Sequence, residues 1–158
     1  MADQSSLTIH KIKRYGWVPD LPDARDYLYA APMPTLAQLP AKVDLRPQCP
    51  KTVYDQEQLG SCTANAIAGG VEFDVLKQNK PDMMPSRLFI YYNERVIEGT
   101  VDTDAGARIR DGIKVVATLG VPPESDWGYV IANFAEKPPQ KAYTCLLYTS
   151  DAADDLTR

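Results

Sequence analysis

The chemically suggestive part of this sequence is short: Asp55-Gln56-Glu57-Gln58-Leu59-Gly60-Ser61-Cys62-Thr63-Ala64-Asn65. Cys62 follows a Gly-Ser pair that lets the backbone turn sharply, and it stands where a helical periodicity begins. Unpaired amides at a helix amino end carry roughly half a positive charge, which favours thiolate over thiol, and a thiolate is a nucleophile. Its attack on a carbonyl generates an oxyanion. A backbone amide at the turn and a carboxamide a few residues upstream can donate to that oxyanion, and Gln56 occupies the upstream position. The competing reading is a small helix residue buried for packing; the Gly-Ser lead and the upstream glutamine favour the nucleophile.

Three helices are expected to position these residues. Ala64, Ile67, Ala68, Val71 and Val75 recur at spacings of three and four, and the run stops at Asn79-Lys80-Pro81. Pro85-Ser86 opens a second helix, with Ser86 as its cap, Leu88, Tyr91, Tyr92 and Val96 on one face, and an end near Gly99. The third is marked by Asp104 as cap, an Ile109, Ile113 and Val116 stripe, then Gly120 and Pro122. Ahead of them, seven of the 13 prolines fall between Pro19 and Pro50, a density that excludes a long helix. Tyr15, Trp17, Tyr27 and Tyr29 lie among or beside these prolines. This extended arm either packs on its own domain or occupies a binding groove as a peptide would.

Composition narrows the function classes. The 158 residues are 44% hydrophobic and 24% charged, and 17 basic against 21 acidic side chains give a formal charge of -4, an ordinary soluble globular profile. No basic stripe exceeds His10-Lys11-Ile12-Lys13-Arg14, so nucleic acid is not an expected partner. No apolar run approaches the roughly 20 residues that span a bilayer, so no membrane is expected. The polar start Met1-Ala2-Asp3-Gln4-Ser5-Ser6 lacks the plan of a secretory signal, which favours a cytoplasmic location. Cys49, Cys62 and Cys145 form no Cys-x-x-Cys pair, so no zinc site, metal or cofactor is expected, and a reduced environment fits.

Taken together, several phrases resemble those of papain-family cysteine peptidases. Leu39-Pro40-Ala41-Lys42-Val43-Asp44-Leu45-Arg46 is similar to the opening of the mature domain, and a glutamine followed by Gly-Ser-Cys then heads the central helix. Met84-Pro85-Ser86-Arg87-Leu88-Phe89-Ile90-Tyr91-Tyr92 resembles the segment that starts the next helix, and Asp104-Ala105-Gly106-Ala107-Arg108-Ile109-Arg110-Asp111-Gly112 the glycine-containing turn and helix after it. Gly120-Val121-Pro122-Pro123-Glu124 with Trp127-Gly128-Tyr129 resembles the phrase where the helical half gives way to a barrel half.

The resemblance implies an α+β papain-like fold, of which this chain holds mainly the helical half and lacks most of the β-barrel half. It implies a monomeric cysteine endopeptidase acting on peptide or protein substrates, with Cys62 as nucleophile, Gln56 as oxyanion donor and Gly106 along the groove where a substrate backbone pairs. Four positions depart from the pattern: Leu59 replaces a disulfide cysteine, leaving Cys49 without its usual partner; Thr63 replaces an aromatic residue; Glu57 replaces a glycine; and Gly128 stands where proline is common.

Such chemistry also needs a base oriented by a third group. In the papain pattern the histidine and asparagine lie roughly 130 to 150 residues after the cysteine, which is past Arg158. The single histidine, His10, belongs to the arm and reads as a solvated residue in a basic patch. Cys145-Leu146-Leu147-Tyr148-Thr149-Ser150-Asp151-Ala152-Ala153-Asp154-Asp155 resembles a translated sequencing adapter. The expected organisation is therefore an arm over 1–38, a pro-segment in one reading, a truncated peptidase domain over 39–144, and a foreign tail over 145–158. A chain of this kind is expected to be inactive alone; the alternative function is a catalytically silent papain-fold module that binds peptides.

Overall fold

Helix α2 (Arg87–Glu98) is the element around which the others assemble, and both its ends are fixed locally. The Ser86 hydroxyl oxygen accepts the Phe89 amide at 3.2 Å, and Gly99 closes the helix in the left-handed region at φ 69°. The computed structural model describes residues 15–27 and 40–144. Within them, α1 (Cys62–Lys77) and α3 (Ile109–Leu119) pack against α2 and against each other, and a short α4 (Gln140–Thr144) adds Ala142 to the core. Single 3-10 turns occur at Arg46–Gln48 and Ile131–Asn133.

Leu88, Phe89, Ile90 and Tyr91 are fully buried and meet Ala64 and Ala68 of α1 and Val115 of α3. Each large side chain so enclosed contributes on the order of 1.5–3 kcal/mol. The alanines let α1 come close. Gly112 does the same for α3, since a Cβ there would collide with the Glu94 carboxylate and Ile67.

The helices lie where the periodicity places them, but two faces are turned differently. Val96 and Ile113 are 49% and 56% exposed, while Glu94, Arg95 and Asp111 are buried in their stead. Partners make this possible. Arg95 donates to the carbonyls of Tyr91, Val101, Thr103 and Phe134, with its guanidinium 4.1 Å from the Tyr91 ring centre. A hydrophobic pattern does not register a buried arginine whose hydrogen bonds go to carbonyls of its own helix and of two separate loops. Asp104 also differs from expectation. It does not cap α3, whose N-cap is Arg108 without a side-chain bond; its carboxylate instead accepts the Gly60 amide and the Tyr91 hydroxyl.

No ladder of strands forms among the described residues. The β-type contacts there are isolated bridges, Trp17 with Ala107 in parallel and Pro85 with Pro123 in antiparallel.

Candidate active site

Cys62 is the first residue of α1, half-buried, immediately after the fully buried Ser61. Gln56 sits at the other end of the preceding turn, which closes by a Leu59 amide bond to the Gln56 carbonyl at 3.2 Å. Its carboxamide nitrogen donates to the Leu59 carbonyl at 3.0 Å, so the side chain is folded into the turn. Glu57, where the resembling family has glycine, adopts φ 53°, and its amide is held by the Asp55 carboxylate at 2.8 Å. The left-handed conformation survives here without the residue that most easily adopts it.

Tyr129 ties the two candidates together. Its hydroxyl donates to the Gln56 carbonyl at 2.9 Å, which leaves its oxygen to accept from the Ser61 hydroxyl at 2.6 Å. Burial raises its pKa, so the phenol stays a donor. Asn65, one turn into α1, donates to the Ser61 carbonyl at 2.8 Å and to its hydroxyl oxygen at 3.0 Å. Ser61, the residue before Cys62, and Gln56 itself are thus bonded to one tyrosine.

Gly106 lies on the opposite wall. It has φ 81°, and its amide donates to the Tyr91 hydroxyl at 3.2 Å, which in turn donates to Asp104 at 2.5 Å. Because Asp104 also holds the Gly60 amide at 3.0 Å, one carboxylate spaces the Cys62 turn from the Gly106 strip.

The arm runs along that strip. The Ala107 amide donates to the Gly16 carbonyl at 2.8 Å and the Val18 amide to the Ala107 carbonyl at 2.9 Å. Further along, Asp20 accepts the Arg110 amide at 3.2 Å and Asp26 takes the Arg110 guanidinium in a fork at 2.9 and 2.7 Å. The arm thus packs on its own domain, and where it meets Ala107 its backbone pairs as a peptide's would. The arm's aromatics do not hold it, however: Tyr15, Trp17 and Tyr27 are 73%, 58% and 99% exposed, and Tyr29 lies outside the described residues. Backbone pairing and carboxylates do that work.

The structure therefore gathers Cys62, Gln56 and Gly106 into one region. His10 and the 145–158 tail lie outside the described residues. Tyr129, Tyr91 and Asp104 were not legible as site-forming residues, because their bonds reach across 13 to 73 positions of chain. Cys49 is free and exposed, and Leu59 fills the core at the position of the missing disulfide partner. Thr63 places its hydroxyl on Glu94 at 2.9 Å. Among the described residues no helix is long and apolar enough to cross a membrane, and no cluster of side chains suits a metal ion.

No protein-family model matches the chain. It is 44% identical to xylellain, a cysteine protease from Xylella fastidiosa, whose crystal structure matches with a TM-score of 0.75 over 87% of this chain and 56% of that one. In sequence and in fold the chain matches part of a papain-like cysteine protease. A peptidase C1-like protein of Acanthamoeba polyphaga mimivirus, itself uncharacterised, is 39% identical over 147 residues, covering 83% of this chain and 47% of that protein. The papain-like chain spans about half the length of these relatives. Its helices with almost no strand among the described residues correspond to the helical half of the α+β papain-like fold.

Proposed function

We propose that the protein to which this chain belongs is a cysteine endopeptidase. Cys62 attacks the substrate carbonyl, the oxyanion receives hydrogen bonds from a backbone amide of the turn and from Gln56, and the amine leaves with a proton to give an acyl-enzyme that water hydrolyses. The substrate is a peptide or protein whose backbone pairs along Gly106 and Ala107. The imidazole base and its orienting group come from the part of the papain-like fold that this chain does not span. The observation carrying this reading is a cysteine at the head of α1 on the same turn as a buried glutamine, facing a backbone strip that already pairs with a peptide segment.

The contact of the arm with that strip favours a second element: the arm is inhibitory and competes with substrate. The test measures cleavage of a fluorogenic peptide. A protein spanning the relatives' full length is expected to cleave it, and Cys62→Ala to abolish cleavage, whereas turnover that persists in Cys62→Ala defeats the reading. The 158-residue chain, whose single histidine is His10, is expected to give no turnover.

A further inference from the structure

Arg87 is almost wholly buried although it carries a full charge, and its donors are divided among three separate parts of the chain. Its Nε and Nη2 grip the Glu124 carboxylate at 2.9 and 2.6 Å. Its Nη1 reaches the Asp55 carbonyl at 3.0 Å and the Asn65 side-chain oxygen at 3.2 Å. The guanidinium plane lies between two aromatic rings, 4.1 Å from the centre of Tyr129 and 4.9 Å from that of Tyr54.

Three of these partners, Asp55, Asn65 and Tyr129, lead to the candidate site. Asp55 is the residue before Gln56, so the carbonyls on both sides of the Gln56 amide are held, one by Arg87 and the other by the Tyr129 hydroxyl. Asn65, oriented through its oxygen by Arg87, uses its nitrogen on Ser61, the residue before Cys62. The ring of Tyr129 rests on Arg87 while its hydroxyl bridges Gln56 and Ser61. We propose that Arg87, braced by Glu124, is a positioning residue that sets the Gln56 carboxamide relative to Cys62. The inference rests on the peptidase reading for its consequence, since it concerns the oxyanion donor of that reaction.

The physical logic favours arginine alone. A planar fork can bind a carboxylate with one edge, present its remaining nitrogen to two acceptors, and stack between rings; an ammonium cannot do all three at once. Burial opposes the Arg87 charge, but the Glu124 carboxylate offsets it, so the guanidinium is more strongly protonated than usual.

The test uses the 158-residue chain and two readouts: the side-chain amide resonances of Gln56, and the rate at which iodoacetamide modifies Cys62, followed peptide by peptide against Cys49. Arg87→Met is expected to move the Gln56 resonances to the positions of a solvated glutamine. Arg87→Lys is expected to recover thermal stability without restoring those resonances, a separation that a merely structural role does not produce. Tyr129→Phe keeps the ring and removes the bridge, and Glu124→Gln keeps the shape and weakens the brace; each is expected to move the same resonances, and they decide the matter if Arg87→Met fails to fold. Unmoved Gln56 resonances in folded Arg87→Met, or in Glu124→Gln when Arg87→Met does not fold, overturn the proposal. The nucleophile reading fails separately, if Cys62 of the unsubstituted chain is modified no faster than Cys49.

Discussion

Gly16 of the arm and Gly106 of the helical unit meet face to face with no room for a side chain on either. A Cβ on Gly106 would collide with the Gly16 carbonyl, and one on Gly16 would collide with the Gly60 carbonyl across the strip. The arm therefore enters between the Cys62 turn and the Gly106 wall at its one residue type thin enough to pass, and pairing of Gly16 and Val18 with Ala107 locks it there.

Gly16→Ala is expected to expel the arm while leaving the helical unit folded. The added methyl has backbone on its far side, which cannot give way as a flexible side chain would, so the cost is of the order of 1–3 kcal/mol and falls on the arm alone. Trypsin cleavage at Arg25 is the measurement. It should accelerate strongly, with the thermal midpoint of the helices little changed; unaltered cleavage would mean that the arm is held elsewhere.

The second attachment is weaker and salt-sensitive. Arg110 and Asp26 are 38% and 51% exposed at their side chains, so solvent screens their fork and it contributes little. Asp26→Asn should raise cleavage at Arg25 by about two- to fivefold at low ionic strength. The difference should vanish near 1 M salt, where the screening length falls to about 3 Å. A difference that persists at high salt would show that packing, not charge, carries this contact.

Asp104 is expected to be costly to replace. It accepts the Gly60 amide at 3.0 Å and the Tyr91 hydroxyl at 2.5 Å, and Tyr91 in turn receives the Gly106 amide. Asp104→Ala removes bonds to a charged acceptor worth about 1.5–3 kcal/mol each and strips support from both walls at once. Urea unfolding should reveal a loss of at least about 2 kcal/mol, together with faster amide exchange at Gly60 and Gly106. A loss near zero would mean that water replaces the carboxylate there.

How far the sequence carried the reading depended on the range of the interaction. Local signals were legible: Ser86 caps α2, Gly99 ends it, and Cys62 heads α1, each decided by residues a few positions apart. Asp104 looked like a local cap and instead serves Gly60, 44 positions away, because a carboxylate is equally competent as either acceptor and only the packing of α2 against α3 decides. Val96 and Ile113 looked like core for the same reason. Periodicity marks which residues could be buried, while the partners that let Arg95 and Glu94 take their places are spread over loops with no period. At the site, Cys62 and Gln56 stood out through their spacing and Gly106 through its family phrase. Arg87 and Tyr129, which join them, did not, since a helix arginine and a loop tyrosine ordinarily read as surface.

Glu94 makes the stability of the unit depend on pH in a direction opposite to that of most carboxylates. It is fully buried among α1, α2 and α3; one oxygen accepts from Thr63 at 2.9 Å, and the other has no hydrogen-bond partner. Burial is the main cause that pushes its pKa up to about 8, with Thr63 opposing, Glu98 and Asp111 adding to the rise, and Arg95 on its own helix opposing it. In the unfolded chain the group titrates near 4.5, so between about 4.5 and about 8 the folded state holds a proton that the unfolded state has released. The stability it supports is complete below about 4.5 and drains away as pH rises through about 8. Each unit of displacement is worth about 1.4 kcal/mol, so the swing is on the order of a few kcal/mol. Glu72, raised to about 7 by burial and by Asp82, slopes the same way over a narrower range and remains in the variant. Glu94→Gln cannot ionise. Its stability should match the parent chain within about 1 kcal/mol near pH 5 and exceed it clearly near pH 8.5, measured by urea unfolding at both values. Parallel pH profiles for the two proteins would show that Glu94 is already ionised in the folded state, held by a partner that replaces its missing hydrogen bond.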